Sequence, residues 1–147
     1  MYREMEHLNE EELWISNVSY DNGFFGKDIL ISMLAGRFDR ITDGEDRKMK
    51  CLAKAIEYEG KPIGFHITFS NPWGMQLKYF YILEEYRRKG HGERFIKKMI
   101  DTRAGQLDGG ISLATAESNM VKLCHKVGFK MIRICDNKKD LLFRYKE

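Results

Sequence analysis

Apolar residues recur at intervals of three and four positions in several segments of the chain, and polar residues fill the positions between them. Residues with this spacing share one face of a helix. The pattern predicts helices over about residues 27–38, from Gly92 to a stop at Gly105, and over residues 118–127. An earlier helix is indicated by its cap: Asn9 and Glu12 have the spacing of a capping box, before a helix expected to reach about Val18.

The period falls to two in the remaining segments, which predicts strands. From Ile63 to Phe69 every second residue is a large apolar one, as in a strand with one buried face. The predicted strands cover about residues 50–59, 63–69, 76–83, 111–115, 129–134 and 141–145, with a short edge strand at residues 2–6.

The order of these elements defines the fold class. It reads β-α-α-β-β-β-α-β-α-β-β, which predicts an α+β fold with a mixed, mostly antiparallel twisted sheet flanked by helices. The chain has 147 residues, and neither of its two prolines marks a linker. We therefore expect a single domain over residues 1–147.

Composition excludes several classes of protein. No apolar run approaches the roughly 20 residues that span a bilayer, and the first residues lack the apolar core of a signal peptide. The three cysteines, Cys51, Cys124 and Cys135, are far apart and form no CxxC pair, which argues against a disulfide framework or a metal site. We expect a reduced, cytoplasmic protein that binds no metal and no membrane.

The charge balance is mildly basic. The net charge is +3 and the pI is near 8.7, below the value of about 9 that is typical of nucleic-acid-binding domains. A nucleic-acid partner is thus possible but less favoured, and the basic cluster between Arg87 and Lys98 needs a more local explanation.

That cluster begins in the connection between a predicted strand and a predicted helix. A helix N-terminus presents N–H groups that have no partner within the helix, and it has partial positive charge. Gly90 and Gly92 allow close approach to the backbone, and Arg87, Arg88 and Lys89 add charged donors. The segment is suited to a pyrophosphate group. The plainer alternative is a solvated basic turn.

The same residues resemble a known family. The segment from Tyr81 to Gly92 is similar to the acetyl-CoA loop of the GCN5-related N-acetyltransferases (GNAT), whose signature is Arg or Gln, two residues, Gly, one residue, then Gly or Ala. Arg87, Gly90 and Gly92 match it. A second block, residues 123–129, resembles the family's Leu-Tyr-x-Lys-x-Gly-Phe, and the order of elements agrees along nearly the whole chain.

The resemblance implies an acetyl-CoA-dependent N-acetyltransferase. Backbone amides of the loop would hold the CoA pyrophosphate, and the strand backbone around Ile82 would pair with the pantetheine arm. The cofactor-binding residues implied in this way are Ile82, Arg87, Arg88, Lys89, Gly90, His91 and Gly92.

The catalytic residues are less well defined, because the chain departs from the family pattern. Cys124 stands where the family commonly has a Tyr that protonates the leaving thiolate, so Cys124 is either a substitute acid or, as we favour, a core residue. Asn is common in the family at the position of Glu117. The base that accepts the amine proton stays open among Glu84, Tyr81, Tyr79 and Glu117. Direct attack of the amine needs no cysteine nucleophile.

The acceptor also stays open. Its walls would come from residues 20–27, the turn at Trp73 and the hairpin at residues 136–139. We expect a small-molecule or protein amine. The alternatives are aminoacyl-tRNA or another nucleic-acid-linked amine, and a CoA-binding module that has lost catalysis. Strand edges near the C-terminus make a homodimer possible.

Overall fold

The computed structural model describes residues 10–21, 50–70 and 72–146. The predicted strand at residues 2–6, the predicted cap at Asn9 and the predicted helix at residues 27–38 lie outside the described residues. The described helices are α1 (Glu10–Asp21), α2 (His91–Arg103) and α3 (Ser118–Val127). The strands are β1 (Lys50–Tyr58), β2 (Lys61–Ser70), β3 (Gly74–Ile82), β4 (Gly110–Thr115), β5 (Lys130–Ile134) and β6 (Leu141–Tyr145).

The six strands form one sheet in the order β1-β2-β3-β4-β6-β5. β3 and β4 run parallel, while β1 with β2, β4 with β6 and β5 with β6 are antiparallel. The predicted α+β fold with a mixed, mostly antiparallel sheet is thereby confirmed. Helix boundaries differ slightly from those predicted: α1 runs on to Asp21, and α2 ends at Arg103, before a 3-10 turn that contains Gly105.

The chain divides into two compact units. The first contains α1, β1, β2 and Tyr79–Tyr81 of β3. Its core includes Ile15 of α1 and Phe65 and Phe69 of β2, all fully buried. Glu11 joins α1 to β1, because its carboxylate accepts a hydrogen bond from the Ala55 N–H at 2.6 Å.

The alternation that predicted β2 is present, but the strand is buried on both faces. Phe65 and Ile67 are fully buried, as expected, and Gly64 and Thr68 on the other face are buried as well. The prediction of a strand with only one buried face was therefore wrong. The residues at the alternate positions are small or polar, so the pattern of large apolar residues does not indicate that this second face is buried.

The second unit contains the rest of the described chain, from Pro72 to Lys78 and from Ile82 onward. Its core is formed by one face of α2, by β4 and by the middle of β6, and the buried side chains include Ile96, Ile100, Ile111 and Phe143. Gly128 ends α3 in the left-handed conformation with φ of 100°, as the position of this glycine predicted.

Candidate active site

The connection from β3 to α2 begins with a tight turn. β3 ends at the buried Ile82, and one turn of 3-10 helix follows over Glu84–Tyr86. The Tyr86 N–H donates to the Leu83 carbonyl at 2.9 Å, and the Arg87 N–H donates to the Glu84 carbonyl at 3.1 Å. Arg87 Nε donates to the Ile82 carbonyl at 2.7 Å. The side chain of Arg87 thus fastens the loop to the end of the strand.

Beyond Arg87 the backbone turns into α2 through two residues with positive φ. These are Arg88 at 64° and Gly90 at 80°, and such a conformation is costly for residues with a Cβ atom. The Gly90 carbonyl accepts the first helical bond from the Arg94 N–H at 3.1 Å. A Cβ atom on Gly90 would lie 2.8 Å from Arg94 Nη1. The backbone angle therefore favours glycine here, while the contact with Arg94 is with the end of a flexible, exposed side chain that can shift.

This geometry fits a diphosphate. The helix begins directly after the positive-φ turn, so its first N–H groups and the positive end of its dipole face the loop. Gly92 lies in the first turn of α2, while Arg88 and Lys89 are exposed beside it. The lysine ammonium lies 5.9 Å from the centroid of the Tyr86 ring. The structure thus brings together all the loop residues that the sequence predicted as cofactor-binding.

The acidic residue of the first turn of α2 is engaged elsewhere. Glu93 forms ion pairs with Lys126 of α3 at 2.7 Å and with Lys97 at 3.6 Å. The hydrogen bond from Lys126 lowers the pKa of the Glu93 carboxyl, and the charges of both lysines act in the same direction. The pair ties α3 to the beginning of α2.

The parallel ladder between β3 and β4 is short. Among the described residues it contains three pairs, from Gly74 with Gly110 to Gln76 with Ser112, although both strands continue. β4 then pairs with β6 as far as Thr115. Where two neighbouring strands part, an extended ligand can bind along a strand edge by backbone hydrogen bonds.

Cys124 is buried in the second unit. Its exposed fraction is 1%, and burial raises the pKa of its thiol to about 11. Its carbonyl accepts the Phe129 N–H at 2.8 Å, a bond that closes the end of α3. The thiol is therefore protonated at neutral pH and has the surroundings of a core residue.

The two candidate carboxylates of this unit are exposed. Glu84 begins the 3-10 turn that follows β3. Glu117 precedes α3, where its N–H donates to Thr115 Oγ1 at 3.1 Å and its carbonyl accepts the Val121 N–H at 2.9 Å. Its side chain makes no capping bond to the helix. The backbone of Glu117, rather than its carboxylate, begins α3.

The two candidate tyrosines belong to the first unit. Tyr81 and Tyr79 are partly buried against the core cluster of α1, β1 and β2. The Tyr81 ring lies 5.6 Å from that of Phe65, centroid to centroid, and burial raises the pKa of Tyr79. Both tyrosines therefore pack against the core of the first unit.

A titratable group that the sequence analysis did not select lies in the same unit. His66 is in the middle of β2, and burial lowers its pKa to about 4; the Glu11 charge raises that pKa and the Lys54 charge lowers it further. The spacing of apolar residues offered no signal for it, because His66 is at an alternate position of β2, on the face that was predicted to be exposed. A pKa so far below 7 makes His66 a weak base at neutral pH.

Trp73 lies far from the loop along β3. It directly precedes the first residue of the strand, whereas Ile82 is the last, so about 30 Å of extended chain separates them. A Cβ atom on Gly109 would overlap the Trp73 ring, and the Arg144 guanidinium lies 5.7 Å from the ring centroid. The structure does not bring Trp73 to the loop, which argues against it as an acceptor wall.

The other predicted acceptor walls are described only in part. Tyr20 is exposed at the end of α1, and residues 22–27, with Phe24 and Phe25, lie outside the described residues. In the hairpin at residues 136–139, Asn137 Oδ1 accepts the N–H groups of Lys139 at 2.9 Å and Asp140 at 3.0 Å. The hairpin is a compact exposed turn.

Comparison with known proteins shows the family to which the chain belongs. The sequence profile of the Acetyltransferase (GNAT) family matches residues 6–129. The chain belongs to the GNAT family. It is an acetyl-CoA-dependent N-acetyltransferase, and acetyl-CoA is its co-substrate. No curated protein matches the chain in sequence.

Solved structures share the fold at low identity. A GNAT family acetyltransferase from Elizabethkingia anophelis with acetyl-CoA bound has a TM-score of 0.62 at 12% identity, with 100% of this chain and 96% of that chain covered. Ard1 from Thermoplasma volcanium has a TM-score of 0.64 at 11% identity, with 100% and 97% covered. Arabidopsis thaliana Naa50, in complex with the bisubstrate analogue CoA-Ac-MVNAL, has a TM-score of 0.54 at 16% identity, with 65% and 72% covered.

Within residues 10–21, 50–70 and 72–146, no helix is long and apolar enough to cross a membrane. The same residues contain no group of three or more His, Cys, Asp and Glu side chains that could hold a metal ion.

Proposed function

We propose that this GNAT protein transfers the acetyl group of acetyl-CoA directly to a primary amine, with no acetyl-enzyme intermediate. The observation on which this depends is the loop from Ile82 to Gly92, where the Arg87 tie, the positive φ of Gly90 and the start of α2 form one anion-binding turn. The acceptor that we test first is a peptide or protein amine.

The loop residues would hold the co-substrate by its pyrophosphate. Backbone amides between Arg88 and Gly92 would donate to the phosphate oxygens, and Arg88 and Lys89 would balance their charge. The backbone near Ile82 would align the pantetheine arm, in keeping with the short β3–β4 ladder. These contacts fix the position of the thioester relative to the strand.

Direct transfer is favoured by the state of Cys124. Cys124 is buried and protonated, so it is a poor nucleophile. A neutral amine attacks the thioester carbon, the bond to sulfur breaks, and CoA leaves as a thiolate that then takes up a proton. The amine proton is transferred to a base or to water. Glu84 and Tyr81 are the residues we propose to test as that base.

A peptide acceptor is supported by one structural neighbour. Naa50 from Arabidopsis was solved with an analogue that joins CoA to a short peptide. A small-molecule amine and aminoacyl-tRNA remain as the other acceptor classes. The net charge of +3 is only mildly basic, so it gives little support to an extensive contact with the phosphates of aminoacyl-tRNA.

The experiment that tests the function is an acceptor screen with product identification. Purified protein and acetyl-CoA are incubated with peptides that have free N-termini, with small amines and with aminoacyl-tRNA, and acetylated products are detected by mass spectrometry. We expect an acetylated peptide and no acetylated protein when the acceptor is omitted. Stoichiometric acetylation of a cysteine before the acceptor is added would contradict direct transfer.

A further inference from the structure

Arg94 is a residue of α2 whose side chain turns back toward the loop. Side chains on a helix tilt toward its N-terminus, and Arg94 is one turn beyond Gly90. Its Nη1 atom would lie 2.8 Å and its Cζ atom 3.7 Å from a Cβ atom built on Gly90. The guanidinium therefore lies against Gly90 at the place where another residue would have its side chain.

A neighbouring imidazole fixes the orientation of this guanidinium. Arg94 Nη2 lies 3.0 Å from His91 Nδ1. Because a guanidinium only donates hydrogen bonds, this contact is a hydrogen bond in the tautomer in which Nδ1 is the accepting nitrogen. The His91 ring is held edge-on against Tyr86, with the centroids 6.4 Å apart.

The position is electrostatically unusual for a cation. A positive charge near a helix N-terminus is repelled by the positive end of the helix dipole. An anion bound there is attracted both to the dipole and to the positive side chain. The acidic side chain of the same helical turn, Glu93, is directed to Lys126 and Lys97. The arrangement therefore suits a doubly charged anion bound beside the guanidinium, at the start of the helix.

We propose that Arg94 binds the pyrophosphate of the co-substrate, and that His91 is the positioning residue that holds its guanidinium over the loop. Planar paired N–H groups match phosphate oxygens better than any other side chain does. This inference rests on the proposed function, because it assigns one more contact within the same loop. The sequence motif stops at Gly92 and so did not select Arg94.

Calorimetric titration with two ligands tests the assignment. CoA and dephospho-CoA share the pyrophosphate, and only CoA has the 3′-phosphate. We expect Arg94→Ala to weaken binding of both ligands by about tenfold, the effect of one lost charge-assisted contact. Arg94→Gln, which keeps a donor for His91 but not the charge, should weaken both similarly, and its affinity should fall less steeply with added salt than that of the wild type.

Arg103→Ala is the matched control, because it removes an exposed arginine from the last turn of the same helix. It should change neither affinity more than twofold, and circular dichroism should show all variants folded. The assignment is overturned if both Arg94 variants bind like wild type, if the loss is confined to CoA, or if Arg103→Ala loses as much. Failure of the wild type to bind either ligand would instead refute the proposed function, and this inference with it.

Discussion

At the scale of single residues, the environment of a side chain decides which of its chemical roles are possible. Cys124 illustrates this point: the sequence places it at the position of a family acid, but its side chain is buried and its thiol pKa is about 11. A thiol with that pKa donates a proton only weakly at neutral pH. We therefore assign Cys124 to packing rather than to proton transfer.

Replacement of the thiol tests this assignment. We expect Cys124→Ala to lower kcat less than tenfold and to reduce the free energy of unfolding by about 1 kcal/mol, the cost of removing one buried heavy atom. Steady-state kinetics and urea unfolding measure the two effects. Cys135→Ala, at a half-buried position in the second unit, is the control. A thousandfold loss of kcat would show that the thiol is the acid after all.

His66 makes a second residue-level prediction, which concerns pH. Its pKa is about 4 in the folded protein and 6.5 in the unfolded chain. Between these values the unfolded chain binds a proton that the folded protein does not, so stability falls as the pH drops from 6.5 to 4. The contribution is on the order of 2–3 kcal/mol.

Urea unfolding of wild type and His66→Gln at pH 7 and pH 4.5 measures this contribution. The variant should lose less stability than wild type over that interval. His125→Gln removes an exposed histidine and should behave like wild type. Equal losses in wild type and His66→Gln would show that His66 is not desolvated in the folded protein.

At the scale of elements, the important relation is between α2 and α3. Lys126 of α3 reaches Glu93 in the first turn of α2, next to the loop that we assign to the pyrophosphate. The ion pair is exposed enough that its contribution to stability is modest. Its effect on the loop is more specific, since it connects the start of α2 to α3 and engages the Glu93 carboxylate with two lysines.

The lowered pKa of Glu93 gives this relation a pH dependence. A carboxyl with a depressed folded pKa stabilises the protein above its unfolded pKa, and that contribution is lost as the pH falls through the folded pKa. Glu93→Gln should therefore lose less stability than wild type between neutral pH and about pH 3. Glu117→Gln, which changes an exposed carboxylate before α3, is the control in the same urea titrations. An unchanged pH dependence in Glu93→Gln would contradict the pairing.

At the scale of the whole molecule, elements were easier to predict than interactions between them. Every strand and helix predicted within the described residues is present, because the period of apolar residues reflects which face of an element is buried. The two-sided burial of β2 escaped prediction, since Gly64 and Thr68 do not register as apolar positions. Solved structures with the same fold are only 11–18% identical to this chain, so the fold depends on the pattern of apolar and polar positions more than on particular residues.

The sequence alone suggests a candidate site only where that site is continuous in the chain. The loop from Ile82 to Gly92 is a single segment, so its motif can be recognised from the residues alone. The burial of Cys124, the pKa of His66 and the position of Arg94 over Gly90 depend on contacts across elements or turns. Spacing in the sequence does not encode such contacts.

We propose that the loop between β3 and α2 binds acetyl-CoA by its pyrophosphate, a claim that calorimetric titration can test. Wild type should bind acetyl-CoA one-to-one, while Gly90→Glu combined with Gly92→Glu should show no binding, because the added side chains fill the turn and repel phosphate. Gly105→Glu, at an exposed position beyond the other end of α2, should bind like wild type. A folded double variant that keeps the wild-type affinity would contradict the claim.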